Sequence, residues 1–382
     1  MTCPYFQTCG GCTLRNLSQA AYREHKSERF NHFVAALKQK DIALGKPFFA
    51  DDAGRRRVEF SFQFGKKGLS FGFYEAQSHT LTNIDKCLSL TNKINAIIVP
   101  LKDFLTQLCQ IKASTKIKGK ICSLGITQGK ISVTDAANGL DIVLHIKETI
   151  SLEHRMLICD FAQSNAAVIR ISVTQNGHSA ETVIEKTKPF IENSGYRIYI
   201  AAGTFLQATD ASQQALIDLV KKYSGNESLK IADLFCGIGT FSYPLAQNIK
   251  NKITAIDSSA ELISGFTQTV NALKLPNIKI KQQNLFKYPL DGRELSQFNL
   301  VIFDPPRAGA AAQVKEIALA KEDDKPQKII AVSCNPYTFI NDANELLSGG
   351  YKIVEITMVD QFPYTNHFEL VALFTKGEKN ES

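Results

Sequence analysis

The chain has 382 residues, 44% of them hydrophobic and 21% charged, which suffices for a full core divided between two or three domains and excludes a disordered or fibrous protein. Its formal charge of +7 is uneven: residues 1–120 carry 19 Lys and Arg against 9 Asp and Glu, whereas residues 121–382 carry 25 against 28. A polyanionic partner is therefore expected at the N-terminal end.

The first dozen residues place Cys3, Cys9 and Cys12 in a short glycine-containing loop. No apolar run reaches the ~18 residues that cross a bilayer, and charges and cysteines replace the apolar stretch of an export signal. A cytoplasmic location is expected, where nine cysteines read as metal ligands or nucleophiles rather than disulfides. Residues 18–40 read as a helix with Ser18 as N-cap and Ala21, Phe30, Phe33, Val34 and Leu37 on its apolar face. Val58, Phe60, Phe62 and Phe64 then alternate with polar residues, Gly65-Lys66-Lys67-Gly68 turns the chain, and Leu69, Phe71 and Phe73 alternate back, a β-hairpin pattern. Strand-like segments follow at 121–126, 130–135, 141–147, 166–174 and 180–185, so the middle region is expected to be a mainly antiparallel β domain. From about residue 210 apolar strands alternate with amphipathic helices, the strands falling at 229–235, 252–257, 278–283, 298–304, 328–334, 351–359 and 367–375. This order predicts an α/β, doubly wound parallel sheet whose last two strands pair antiparallel, because too few residues separate them for a helical crossover.

The chemistry-bearing residues lie at the carboxyl ends of those strands. Asp233-Leu234-Phe235 runs into Cys236-Gly237-Ile238-Gly239-Thr240, and the two glycines let the backbone approach a bound nucleotide portion. Ser242 stands where a pyrophosphate fingerprint has its third glycine, which disfavours nicotinamide and flavin. Asp257, 20 positions after Gly237 at the end of the second strand, suits ribose hydroxyls, so S-adenosylmethionine (SAM), with adenine, ribose and no diphosphate, fits better. Asp304-Pro305-Pro306-Arg307 ends the fourth strand in a rigid wall, and Arg307 in place of an aromatic disfavours methylation of exocyclic amines. Cys334 in Ser333-Cys334-Asn335-Pro336 is placed as a nucleophile, and Glu369, within the apolar stretch Phe368 to Val371, is a candidate base. Taken alone, a strand-end cysteine is more often an inert thiol and such a glutamate a paired structural acid.

Phe205-Leu206-Gln207, Asp233-Leu234-Phe235-Cys236-Gly237, Asp304-Pro305-Pro306-Arg307-Ala308-Gly309, Ser333-Cys334-Asn335-Pro336 and His367-Phe368-Glu369 together resemble the RNA uracil-5-methyltransferase family, over essentially the whole chain. The resemblance implies a class I SAM-dependent methyltransferase domain (206–382), preceded by an N-terminal cysteine segment and helix (1–48) and a mainly β RNA-binding domain (49–205) that includes Cys87. It implies SAM contacts from Gln207, Phe235, Gly237, Gly239, Thr240, Asp257, Asn284 and Asp304. Cys3, Cys9, Cys12 and Cys87 are similar to cysteines that hold a 4Fe-4S cluster in this family, with zinc on four thiolates the rival on ligand chemistry. Cluster cysteines point to the 23S ribosomal RNA members, and a chain starting at the cluster resembles their short, RlmC-type branch; Cys3-Pro4-Tyr5-Phe6, Gly10-Gly11-Cys12 and Asp304 look more like the longer branch. Transfer RNA as substrate, or a non-catalytic RNA-binding iron-sulfur protein, are the alternatives.

The implied reaction has Cys334 add to carbon 6 of a flipped-out uracil, since carbon 5 is otherwise a poor nucleophile, and Glu369 remove the carbon 5 proton after methylation. A free thiol with a pKa of ~8.5 is a few per cent ionised at neutral pH, which is the expectation for Cys334. Arg55, Arg56 and Arg57 in the basic region are expected to contact RNA phosphates.

Overall fold

In the computed structural model, which describes residues 3–117 and 120–377, the C-terminal strands form one twisted sheet. Lys230–Leu234 is central, with Lys252–Asp257 and then Ile278–Gln282 on one side and Leu300–Phe303 and then Lys328–Ser333 on the other, all parallel. The order reverses between Lys230–Leu234 and Leu300–Phe303, which opens a crevice at their carboxyl ends. Glu369–Lys376 enters antiparallel between Lys328–Ser333 and Tyr351–Asp360. The expected antiparallel pair is present, and its later member is the inner strand. Its sequence explains why: Leu370, Val371, Ala372 and Phe374 are all buried, as an internal strand covered on both faces requires.

Ser18 caps the first helix, Gln19–Ala35, its hydroxyl accepting the Ala21 N–H at 3.2 Å. This helix lies on the C-terminal sheet. Phe30 and Phe33 meet Phe368 edge-on with ring centres 6.4 and 5.9 Å apart, and the short strands Ala43–Leu44 and Phe48–Phe49 add in parallel to Tyr351–Asp360. Residues 19–49 are thus built into the layer that carries the crevice.

The middle region forms a second sheet in the order Glu181–Glu185, Val168–Gln175, Gly139–Ile146, Gln128–Ala136, Arg57–Gly65, Gly68–Tyr74, Leu81–Asn83. The expected hairpin pairs Phe62 with Phe71 and Phe64 with Leu69. All neighbours are antiparallel except Gly139–Ile146 and Val168–Gln175, which run parallel across the helix Leu152–Ser164. The helix Asn92–Gln110, with Pro100 inside it, buries Ile94, Ile98, Leu101, Leu105 and Leu108 in the same core as Phe60, Phe62 and Phe71. Among the described residues no helix is long and apolar enough to cross a membrane.

Candidate active site

The first loop of the crevice is shaped by its own backbone. Phe235, Gly237 and Gly239 all have positive φ, at 57°, 56° and 89°. A Cβ at Gly237 would meet nothing within 4 Å, so the loop presents open backbone to the cleft, whereas a Cβ at Gly239 would lie 2.4 Å from the Phe266 ring. Asp257 braces the turn, one carboxylate oxygen accepting the Gly237 N–H at 3.0 Å and the other the Ser259 N–H at 2.9 Å; each oxygen retains a lone pair for a hydroxyl. Ser242, in the place of the third glycine, donates to buried Asp233 at 2.5 Å and so ties the helix that follows to the strand. Burial pushes the Asp233 carboxyl up to about 7. The Thr240 carbonyl accepts from Asn193 Nδ2 at 3.0 Å, and Asn284 caps its own turn by accepting the Phe286 N–H at 3.0 Å.

On the other side of the crevice, pairing of Ser333 with Leu370 brings Cys334, just beyond the end of one strand, beside Glu369 at the start of its antiparallel neighbour. Glu369 is 3% exposed. A chain of side-chain hydrogen bonds runs from it into the crevice: Gln361 Nε2 donates to Glu369 Oε1 at 2.5 Å and to Gln207 Oε1 at 2.9 Å, and Gln207 Nε2 donates to Asp304 Oδ2 at 3.3 Å. Gln361 is itself held by the Ala208 N–H, which its Oε1 accepts at 2.9 Å. Sequence reasoning gave Gln361 no role, because nothing in the stretch Asp360 to Thr365 distinguishes an inward amide from a loop amide; its place immediately after a long apolar strand was the only available signal.

Charge in this pocket is expensive. Burial, followed by the Asp304 charge, holds the Glu369 carboxyl up at about 8, and burial holds Asp304 at about 7. Burial, then the charges of Glu369 and Asp304, push the Cys334 thiol up to about 12, with Arg307 pulling the other way. This runs against the expectation of a partly ionised thiol: burial, and then the two acids that share its pocket, favour the neutral form of Cys334. Arg307 Nη2 lies 3.3 Å from His367 Nδ1 at the exposed mouth, and burial followed by the Arg307 charge lowers the His367 pKa. Cys236 is the other thiol near the loop; it is buried, and burial followed by the charges of Asp233 and Asp257 raises its pKa.

The arginine run divides. Arg56 is 2% exposed, and its guanidinium donates to the Gln207 carbonyl at 3.1 Å, to Gln213 Oε1 at 2.8 Å and to Asp210. It anchors Gln207 from behind and has no free edge for a phosphate, which corrects the expectation for this residue. Arg55 Nε donates to the Arg57 carbonyl at 3.1 Å, its guanidinium 5.9 Å from the Phe362 ring, and Arg57 lies near Glu59 and Asp141. Both remain partly exposed.

Cys3, Cys9, Cys12 and Cys87 line one pocket together with Tyr5, Phe73 and Ile84. Cys87 is fixed by its N–H, which donates to Asn95 Oδ1 at 2.8 Å, and Gly11 N–H donates to Cys9 Sγ at 3.4 Å. Burial raises the Cys87 thiol to about 11, with the charges of Cys12, Cys9 and Cys3 adding to it against a backbone N–H from Ser89. Among the described residues no three His, Cys, Asp or Glu side chains are disposed to hold a single metal ion.

Residues 18–377 match the model of the tRNA (Uracil-5-)-methyltransferase family. The chain belongs to this family. It is 32% identical over 380 residues to an uncharacterized RNA methyltransferase of Brucella melitensis, covering 99% of this chain and 84% of the relative. It is 26% identical over 379 residues to the 23S rRNA (uracil(1939)-C(5))-methyltransferase RlmD of Vibrio cholerae, covering 98% and 81%. Among solved structures, the tRNA (uracil-54, C5)-methyltransferase of Pyrococcus abyssi, in complex with S-adenosyl-L-homocysteine, superposes with a TM-score of 0.71 over 96% of this chain and 86% of that one, at 24% identity. The fold is that of a SAM-dependent methyltransferase, and the chain is an RNA methyltransferase by family.

Proposed function

We propose that this protein methylates carbon 5 of a uridine in 23S ribosomal RNA, using SAM and a covalent link between Cys334 and the base. The observation that carries the reading is the meeting of Cys334 and Glu369 at the mouth of the crevice, where two inner strands pair, joined to Asp304 by the Gln361 and Gln207 amides. The open backbone at Gly237 and the Asp257 carboxylate at the second strand's end form a cradle of the kind that adenosyl and ribose groups fit. SAM supplies the methyl group as an electrophile.

The residues divide the work as follows. Cys334 loses its proton to solvent and its sulfur bonds to carbon 6 of the uracil, moving the electron pair of the 5,6 double bond toward carbon 5 and the carbonyl at carbon 4. Asp304, held by the Gln207 amide, would help to keep SAM and the uracil in line. Carbon 5 takes the methyl, and S-adenosylhomocysteine is the leaving group. Glu369 then accepts the carbon 5 proton, the freed electron pair restores the double bond, and the sulfur leaves carbon 6. The cation of Arg307 offsets the thiolate while it exists. A uridine can reach this crevice only when flipped out of its stack.

The four N-terminal cysteines fit a 4Fe-4S cluster by donor chemistry: they are soft thiols on one pocket, and a four-iron cube spreads its ligands wider than a single ion does. Cys3, Cys9, Cys12 and Cys87 would hold it, tying the N-terminal loop to the β domain. Protein purified without oxygen is expected to be brown and to carry about four irons per chain; stoichiometric zinc without iron would refute the assignment.

The RlmD relative, named for a uracil of 23S rRNA, supports ribosomal RNA over transfer RNA, as do the four cysteines through the family resemblance. Unmodified 23S rRNA and bulk tRNA, each incubated with the protein and methyl-labelled SAM, test the choice. Label in 5-methyluridine of the 23S rRNA is expected; label confined to tRNA would move the substrate, and label in neither would remove the activity.

A further inference from the structure

We propose that Lys26 is a positioning residue for the base: one buried ammonium fastens both ends of the loop that delivers Gln361 and Glu369. This rests on the reading of Glu369 as the proton acceptor. Lys26 and Asp360 have fully buried side chains, and Lys26 Nζ donates to Asp360 Oδ1 at 2.8 Å. The same ammonium donates to the carbonyl of His367. Asp360 is the last residue of its strand and immediately precedes Gln361, and His367 stands two residues before Glu369. The two acceptors therefore bracket residues 361–366, and the distance between them is set by a group on another element.

The other groups that hold Asp360 serve the same loop. The Tyr22 hydroxyl donates to the second Asp360 oxygen, and the Phe362 N–H donates to the first at 3.2 Å. Farther out, Tyr364 accepts the N–H groups of Thr13 and Leu14 through its carbonyl, at 3.1 and 3.0 Å, and its ring lies 4.4 Å under the Arg15 guanidinium. A buried ion pair is in general no more stable than well-packed apolar side chains, so stability alone does not call for a lysine on this helix. An apolar residue could cover Phe368; it could not hold a carboxylate and a carbonyl at a fixed separation. Without Lys26, Asp360 and the His367 carbonyl lose their common donor, the loop ends part, and Gln361 and Glu369 shift relative to Cys334.

The reaction distinguishes positioning from plain structural support. Addition to the base is made by Cys334, just beyond the end of another strand, whereas release of the adduct needs Glu369 in place. Full-length Lys26→Met, given unmodified ribosomal RNA and methyl-labelled SAM, is expected to bind SAM as wild type does, to turn over about 100-fold more slowly, the usual penalty for an ångström of misplacement, and to accumulate labelled RNA on the protein band in denaturing electrophoresis. Should Lys26→Met not fold, judged by SAM binding, Asp360→Asn carries the same test with the same expected adduct. A trapped adduct in Glu369→Gln with none in the folded Lys26 or Asp360 variant overturns the inference alone, as does wild-type turnover in that variant. Absence of adduct in Glu369→Gln itself overturns the assignment of the base and this inference with it.

Discussion

Cys334→Ala is expected to abolish both methyl transfer and any protein–RNA adduct while SAM still binds. Without a sulfur to bond carbon 6, carbon 5 never becomes electron-rich. Cys236, the nearest rival along the chain, is buried in the loop beneath the cradle, with its pKa raised by burial and then by two acids. The test is incorporation of labelled methyl into unmodified RNA together with a denaturing gel for the adduct. An adduct that persists in Cys334→Ala would transfer the nucleophile's role to Cys236. Burial and then two acids push the Cys334 thiol up to about 12, which adds a second expectation: alkylating reagents should modify Cys334 slowly in the free protein, and faster once a bound cationic ligand offsets the two acids.

In Glu369→Gln, addition and methyl transfer remain possible but elimination loses its base, a loss of about 10²–10⁴-fold in that step. Methylated RNA should remain attached to the protein. The pH dependence has a definite sign. The buried carboxyl is held at about 8, so below that pH it retains its proton and cannot accept another; wild-type elimination should climb as pH rises and level off above about 8, and the climb should vanish in Glu369→Gln. Stability moves the opposite way. From the ordinary carboxylate range up to about pH 8 the folded protein holds a proton that the unfolded chain has released, so wild-type stability falls as pH rises through that window. Glu369→Gln does not titrate and should therefore melt above wild type at pH 9, with the gap narrowing toward pH 4. A variant that turns over normally would pass the base's role to another group, and His367, at the mouth beside Arg307, is the nearest in sequence.

The residues legible in the sequence are those whose meaning is set by position on a strand. Gly237, Asp257, Asp304 and Cys334 could be placed at one end of the sheet because apolar runs mark where each strand stops and a parallel sheet gathers those ends, and Glu369 joins them as the start of the antiparallel strand. Side chains whose role depends on another element were not legible. Arg55, Arg56 and Arg57 are identical in type, yet only the middle one turns inward, to Asp210 and Gln213 of the helix Asp210–Ser224. Gln361 and Lys26 are read only through partners 154 and 334 residues away. The helix Asn92–Gln110 was missed because Pro100 interrupts its pattern, and burial of its apolar face overrides that local cost.

The inner antiparallel strand also imposes an order of assembly. A chain made from its N-terminus completes the SAM cradle before residues 351–376 exist, and until then Lys26 has no counter-ion and Phe30 and Phe33 have no Phe368 to pack against. The growing chain can fold its middle sheet as a unit during synthesis. The first helix, though among the earliest residues made, must wait for some of the latest before it can dock. Nucleophile and base come together only when that late strand pairs with Lys328–Ser333, so turnover needs nearly the whole chain.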